Sequence, residues 1–166
     1  MPIINTSSYQ PSRWFLKNSH LNSIYPVLFR KVSGIIYERT RISTSDGDFL
    51  DIDGHYRGSD KLAILSHGFE GSSKAKYILG MVKSLHNRGI DALAWNHRGC
   101  SGQLNSKPYF YKFGFLEDLQ SVINHALEKD QYKEIYLIGF SIGGTETLKY
   151  IGKNYNKLNP KIKKSV

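Results

Sequence analysis

Hydrophobic and polar positions follow two different rhythms along this chain. Between residues 37 and 56 the period is two. Tyr37 to Ser45 reads as a strand, Asp46-Gly47-Asp48 as a tight turn, and Phe49 to Tyr56 as a return strand. In the return strand Phe49, Asp51 and Asp53 alternate with Leu50, Ile52 and Gly54, so the pair predicts a hairpin. From residue 62 onward, short apolar runs alternate with helical spacing. Leu62-Ala63-Ile64-Leu65, Ile90 to Trp95 and Ile135 to Ile138 are nearly continuous in apolar residues, as strands buried on both faces require. Between them Ala75, Ile78, Leu79, Val82 and Leu85 recur at helical spacing, and Gly89 ends that helix. After a loop from Asn96 to Tyr111, a second amphipathic helix is marked by Phe115, Leu116, Leu119, Val122, Ile123, Ala126 and Leu127. Thr145, Leu148 and Ile151 share one face of a third.

Strand and helix alternating at this spacing imply right-handed crossovers and a parallel sheet covered on both faces. The predicted class is α/β, with a mostly parallel sheet. Residues 1–35 show neither rhythm. Trp14, Phe15, Leu16, Leu21, Ile24, Tyr25, Val27, Leu28 and Phe29 are scattered apolar anchors there. They predict an irregular segment packed on the domain formed by residues 36–166.

Composition narrows the classes. At 166 residues, 40% hydrophobic and 13% aromatic, the chain suits one soluble globular domain with its own core. No run reaches the roughly eighteen apolar residues a membrane span needs. Met1 to Gln10 lacks both the basic start and the apolar stretch of a secretory signal. Cys100 is the single cysteine, so neither an internal disulfide nor a cysteine metal cluster is expected, and a cytoplasmic location is the default. The net charge of +9 raises nucleic-acid binding, but residues 142 to 166 alone contribute six lysines against Glu146. An excess piled at one end, with no recognition motif beside it, reads as a solvated segment.

The chemistry lies at Gly139-Phe140-Ser141-Ile142-Gly143, a G-x-S-x-G pattern between the third buried strand and its helix. There a serine occupies a strained turn, and Gly139 and Gly143 let strand and helix approach closely. Its hydroxyl projects beside a helix N-terminus whose partial positive charge favours a developing oxyanion. Acyl transfer also needs a backbone donor from the loop after an earlier strand. His67-Gly68-Phe69-Glu70-Gly71 follows the first buried strand, so the expected donors are the N–H groups of Phe69 and Ile142. His67 and Gly68 belong to that loop, and His67 is read as bracing it rather than as the catalytic base. Arg98 is read as bracing the loop after the second buried strand, and Cys100 as a structural thiol.

The full set of motifs resembles the α/β-hydrolase family of bacterial YheT-type hydrolases, plant EMB8-like proteins and animal α/β-hydrolase-domain esterases. The matching segments are His20-Leu21-Asn22-Ser23-Ile24-Tyr25-Pro26, Asp46-Gly47-Asp48-Phe49-Leu50-Asp51, His67-Gly68-Phe69-Glu70-Gly71-Ser72-Ser73, Asn96-His97-Arg98-Gly99-Cys100-Ser101-Gly102 and Gly139 to Gly144. They occur in family order. The resemblance implies hydrolysis of short- or medium-chain carboxylic esters by Ser141 through an acyl-enzyme, without a cofactor or metal. A small-molecule or lipid-like ester is the implied substrate.

The triad of such enzymes runs Ser, then Asp or Glu, then His. All six histidines (20, 55, 67, 86, 97 and 125) precede Ser141, and Glu146 is the only acid after it. The triad acid and histidine are therefore absent from these residues, and the expectation is a family member truncated before them. On that expectation the strand carrying Ser141 lies at an open edge of the sheet, which predicts poor solubility. The alternatives are a non-catalytic remnant or binding module with the hydrolase fold, and a separate chain that supplies the missing groups.

Overall fold

The structure is a computed structural model that describes Gln10, residues 17–108 and residues 116–166. Trp14, Phe15, Leu16, Phe115 and the end of the loop at Tyr111 lie outside the described residues. The chain divides into two compact units, Met1–Lys31 and Val32–Val166.

In the first unit the segment expected to be irregular contains a helix, α1 (Ser19–Phe29). The Asn18 side chain caps it by accepting from the backbone N–H of His20 and Leu21. Tyr25 and Phe29, one turn apart, stack with ring centroids 5.0 Å apart. Pro26 lies inside the helix and conceals it from pattern reading, because an interior proline ordinarily argues for a break.

The second unit is built on a six-stranded sheet in the order β1-β2-β4-β3-β5-β6. The strands are β1 (Glu38–Ser43), β2 (Phe49–His55), β3 (Lys61–Ser66), β4 (Asp91–Trp95), β5 (Glu134–Gly139) and β6 (Ile162–Ser165); the helices are α2 (Lys76–His86), α3 (Leu116–Glu128) and α4 (Ile142–Asn154). β1 and β2 form the expected hairpin, and β2 also pairs antiparallel with β4, whereas β4, β3, β5 and β6 run parallel.

The continuous apolar runs have a direct cause. Leu62 and Ile64 of β3 join Leu93, Trp95, Ile135 and Leu137 under α3 and Tyr150 of α4. Ala63 and Leu65 face the opposite way, with Ala92 and Ala94, onto Ile78, Val82 and Leu85 of α2. Strands covered on both faces leave few positions for a polar residue.

The sheet edge expected to be open beside Ser141 is occupied. The strand carrying Ser141, β5, is not at the sheet edge, because β6 pairs with it in parallel from Ile135↔Ile162 to Leu137↔Ser165. The run Lys161 to Ser165 hides a strand among lysines. Ile162 alone is buried, and Lys163 and Lys164 are exposed.

Candidate active site

In a parallel sheet the loops leaving the C-terminal ends of adjacent strands meet at one edge, where ligands bind. In this sheet Ser66 is in register with Trp95 on one side and Gly139 on the other. The segments beginning at His67, Asn96 and Phe140 therefore emerge side by side. Two bonds tie these ends together: Phe140 N–H donates to the Ser66 carbonyl at 3.0 Å, and Trp95 Nε1–H donates to the Ser66 hydroxyl at 2.8 Å.

Ser141 lies between β5 and α4 with φ 54° and ψ −115°, a conformation that side chains rarely adopt and that persists only when the surroundings enforce it. The enforcement is steric. A β-carbon on Gly139 would lie 2.4 Å from the Gly143 carbonyl oxygen, and one on Gly143 would lie 2.5 Å from the Ser66 carbonyl oxygen. At these two glycines strand and helix meet backbone to backbone. Ser141 is exposed, and its hydroxyl makes no capping bond to α4. Ile142 is the first helical residue, so its N–H is among those without an intrahelical acceptor.

Across from the serine is the loop after β3. A β-carbon on Gly68 would lie 3.3 Å from Ser141 Cβ, which brings the loop backbone against the serine. Phe69 (59% exposed), Ser141, Ile142 and Thr145 line an open cleft of about 650 Å³. The expected residues Gly68, Phe69, Ser141 and Ile142 are thus together, whereas Arg98 is held elsewhere in the β4 loop.

Several side chains fix this loop. His67, fully buried, makes a 2.7 Å bond from Nδ1 to the Gly68 carbonyl. Burial, reinforced by the neighbouring His97, pushes its pKa down to about 4. Gly71 N–H donates to the same carbonyl at 3.0 Å, and Gly68 N–H donates to the Tyr77 hydroxyl at 2.8 Å. At the loop's far end, Ser73 donates its hydroxyl to Asp53 and its N–H to Asn96 Oδ1, while Tyr37 donates to the Ser73 carbonyl. Burial raises the Asp53 carboxyl, but bonds from Arg39, Ser73 and Asn96 outweigh it and hold the pKa below the ordinary value.

Arg98 donates two bonds to Asp118, at 2.9 and 2.7 Å, and two to Asp46, at 2.7 and 3.1 Å. It clamps the hairpin turn and α3 to the β4 loop. Cys100 is half-buried in that loop. His97, next to Arg98, makes a 2.7 Å bond from Nε2 to Glu146 Oε2, both buried.

The sequence pattern gives Tyr77, His97 and Asp53 no individual role and marks Glu146 only as the sole acid after Ser141. Asp53 alternates with apolar neighbours as a solvated residue would, yet it is 2% exposed. Among the described residues no cluster of three or more His, Cys, Asp or Glu is placed to hold a metal, and no helix is long and apolar enough to cross a membrane.

Comparisons with known proteins agree with this architecture. The chain is 26% identical over 151 residues to the embryogenesis-associated protein EMB8 of Picea glauca, covering 84% of this chain and 33% of that protein. It is 28% identical over 159 residues to YheT of Escherichia coli, covering 93% and 46%. With the bovine phospholipase ABHD3 it shares 29% identity over 161 residues, covering 92% and 39%. The chain thus spans less than half the length of these relatives. Among solved structures, a Pyrococcus furiosus esterase superposes with a TM-score of 0.66 at 24% identity, over 80% of this chain and 48% of that one. A Xanthomonas campestris α/β serine hydrolase without lid gives 0.59 at 18% identity, over 75% and 59%, and both likenesses speak to fold alone. The family model described as serine aminopeptidase, S33 (Hydrolase_4) matches residues 58–163. This chain, with its glycine-flanked serine above a mostly parallel sheet, therefore belongs to that family of α/β-hydrolases.

Proposed function

We propose that these residues carry the nucleophile and oxyanion hole of a serine hydrolase acting on carboxylic esters. The observation that carries the reading is the exposed Ser141 at φ 54°, held above the sheet with the Phe69 loop against it. The hydroxyl attacks the ester carbonyl, forming a bond from Oγ to carbon, and the charge that develops on the carbonyl oxygen is met by the N–H groups of Phe69 and Ile142. Expulsion of the alcohol leaves an acyl-serine, which water then hydrolyses.

The attack needs a base for the serine proton. His67 and His97 are 0% and 6% exposed and are bonded to Gly68 and Glu146, so neither is placed to relay a proton to a leaving alcohol. This reading therefore takes the base and its acid from outside these 166 residues. The mostly apolar lining of the cleft suits the acyl side of an ester of short or medium length. The relative named as a phospholipase also favours esters over the peptides in the family's name.

The test is turnover of p-nitrophenyl butyrate by the full-length polypeptide that contains this sequence. Hydrolysis that disappears in Ser141→Ala is expected. Equal turnover by the variant would exclude the proposal.

A further inference from the structure

Buried side chains connect the start of α4 to the oxyanion loop, and their bond directions assign the protons along the way. The backbone N–H of His97 donates to His67 Nε2 at 3.1 Å, so that nitrogen presents its lone pair. The hydrogen of the His67 ring is then on Nδ1, where it donates to the Gly68 carbonyl at 2.7 Å. His97 Nδ1 is also 3.0 Å from His67 Nε2. Two lone pairs would repel at that distance, so His97 Nδ1 carries a hydrogen. His97 Nε2 and Glu146 Oε2, 2.7 Å apart, then share one further proton. The two imidazoles meet edge to face, centroids 4.3 Å apart, and Trp95 packs on His97 at 4.2 Å, which holds the middle ring in place.

The end of this path is a single peptide unit. In a trans peptide the C=O and N–H point in opposite directions within one plane. Holding the Gly68 carbonyl between His67 Nδ1 and Gly71 N therefore sets where the Phe69 N–H points. Glycine at 68 offers no side-chain resistance to a flip of that peptide, so its orientation rests on these bonds.

We propose that Glu146 is a positioning residue of the oxyanion hole, acting through His97 and His67 on the Gly68–Phe69 peptide. The meaning given to the Phe69 N–H rests on the esterase reading, whereas the mechanical linkage does not. Glu146 lies five residues beyond Ser141, on the helix that Ser141 precedes, so the element that begins at the nucleophile also sets the direction of its opposing donor. A movement of α4 would then disturb both together.

The experiment compares the wild-type full chain with Glu146→Leu, which removes the carboxylate while keeping volume, and with Glu146→Gln, whose amide can still donate to His97 Nε2. The Phe69 amide resonance and steady-state ester kinetics are both read. In Glu146→Leu the Phe69 resonance is expected to move while those of Val82 and Leu93 stay. The kcat falls about 10- to 100-fold at unchanged KM, less than the roughly 100- to 1,000-fold of losing an oxyanion donor outright because the N–H is turned rather than removed, and Glu146→Gln recovers most of both effects. If Glu146→Leu does not fold, His97→Gln cuts the same path and is expected to move the Phe69 resonance in the same way. A Phe69 resonance that stays in place overturns the linkage, whatever happens to kcat. A displaced resonance with unchanged kcat keeps the linkage and rejects Phe69 as an oxyanion donor. If the wild type turns over no ester, the resonance alone decides.

Discussion

Gly143 lies so close to the end of β3 that a β-carbon placed on it would come within 2.5 Å of the carbonyl oxygen of Ser66. The obstacle is backbone, which has no rotamer to yield. Gly143→Ala is therefore expected to push α4 away from β3, costing roughly 2 kcal/mol or more of stability. Because Ile142 N–H moves with the helix, ester turnover should fall more steeply than folding. Urea denaturation alongside kinetics on the folded fraction separates the two effects.

Ser141 itself stores strain. At φ 54° and ψ −115° any residue with a β-carbon is disfavoured, whereas glycine tolerates the geometry. Ser141→Gly should therefore be more stable than Ser141→Ala by about 1 kcal/mol, though both lack the hydroxyl. Equal denaturation midpoints would show that the turn is not strained.

Arg98 is buried with Asp46, Asp48 and Asp118 around it, its guanidinium paired side-on with two of them. Removing it leaves carboxylates facing one another with no cation. Arg98→Ala should cost about 3 kcal/mol, and Arg98→Lys should recover little because one ammonium cannot reproduce the two planar forks. The thermal midpoints of the two variants check this.

The low pKa of His67 makes stability depend on acid. Its folded value of about 4 lies below the ordinary value of 6.5, so the unfolded chain binds the extra proton more readily. Stability from this group is whole above pH 6.5 and is lost as the pH falls toward 4, reaching about 3 kcal/mol at the low end. Urea midpoints at pH 7 and pH 4.5 should show the decline, and His67→Gln should flatten it.

Much of the strand and helix order was legible because burial on both faces forces apolar runs that stand out, as in Leu62 to Leu65 and Ile90 to Trp95. The tight turn at Ser141 was legible because close backbone approach admits only glycine at 139 and 143. Helix α1 and strand β6 were not, since Pro26 breaks one pattern and lysines dilute the other. The path from Glu146 to His67 could not be read at all. It joins residues 30 and 49 positions apart in the chain, and although His67 is read as a loop brace, no spacing ties it to His97 or Glu146.

The proposed function requires Ser141 to form the covalent intermediate. Its most direct test is intact-mass and peptide mass spectrometry of the full-length polypeptide after brief reaction with a fluorophosphonate, in which Oγ bonds phosphorus and fluoride leaves. One adduct on the peptide containing Ser141, absent from Ser141→Ala, is the predicted result. An unmodified Ser141 in a protein that hydrolyses esters, or an adduct on another residue that persists in the variant, would contradict it.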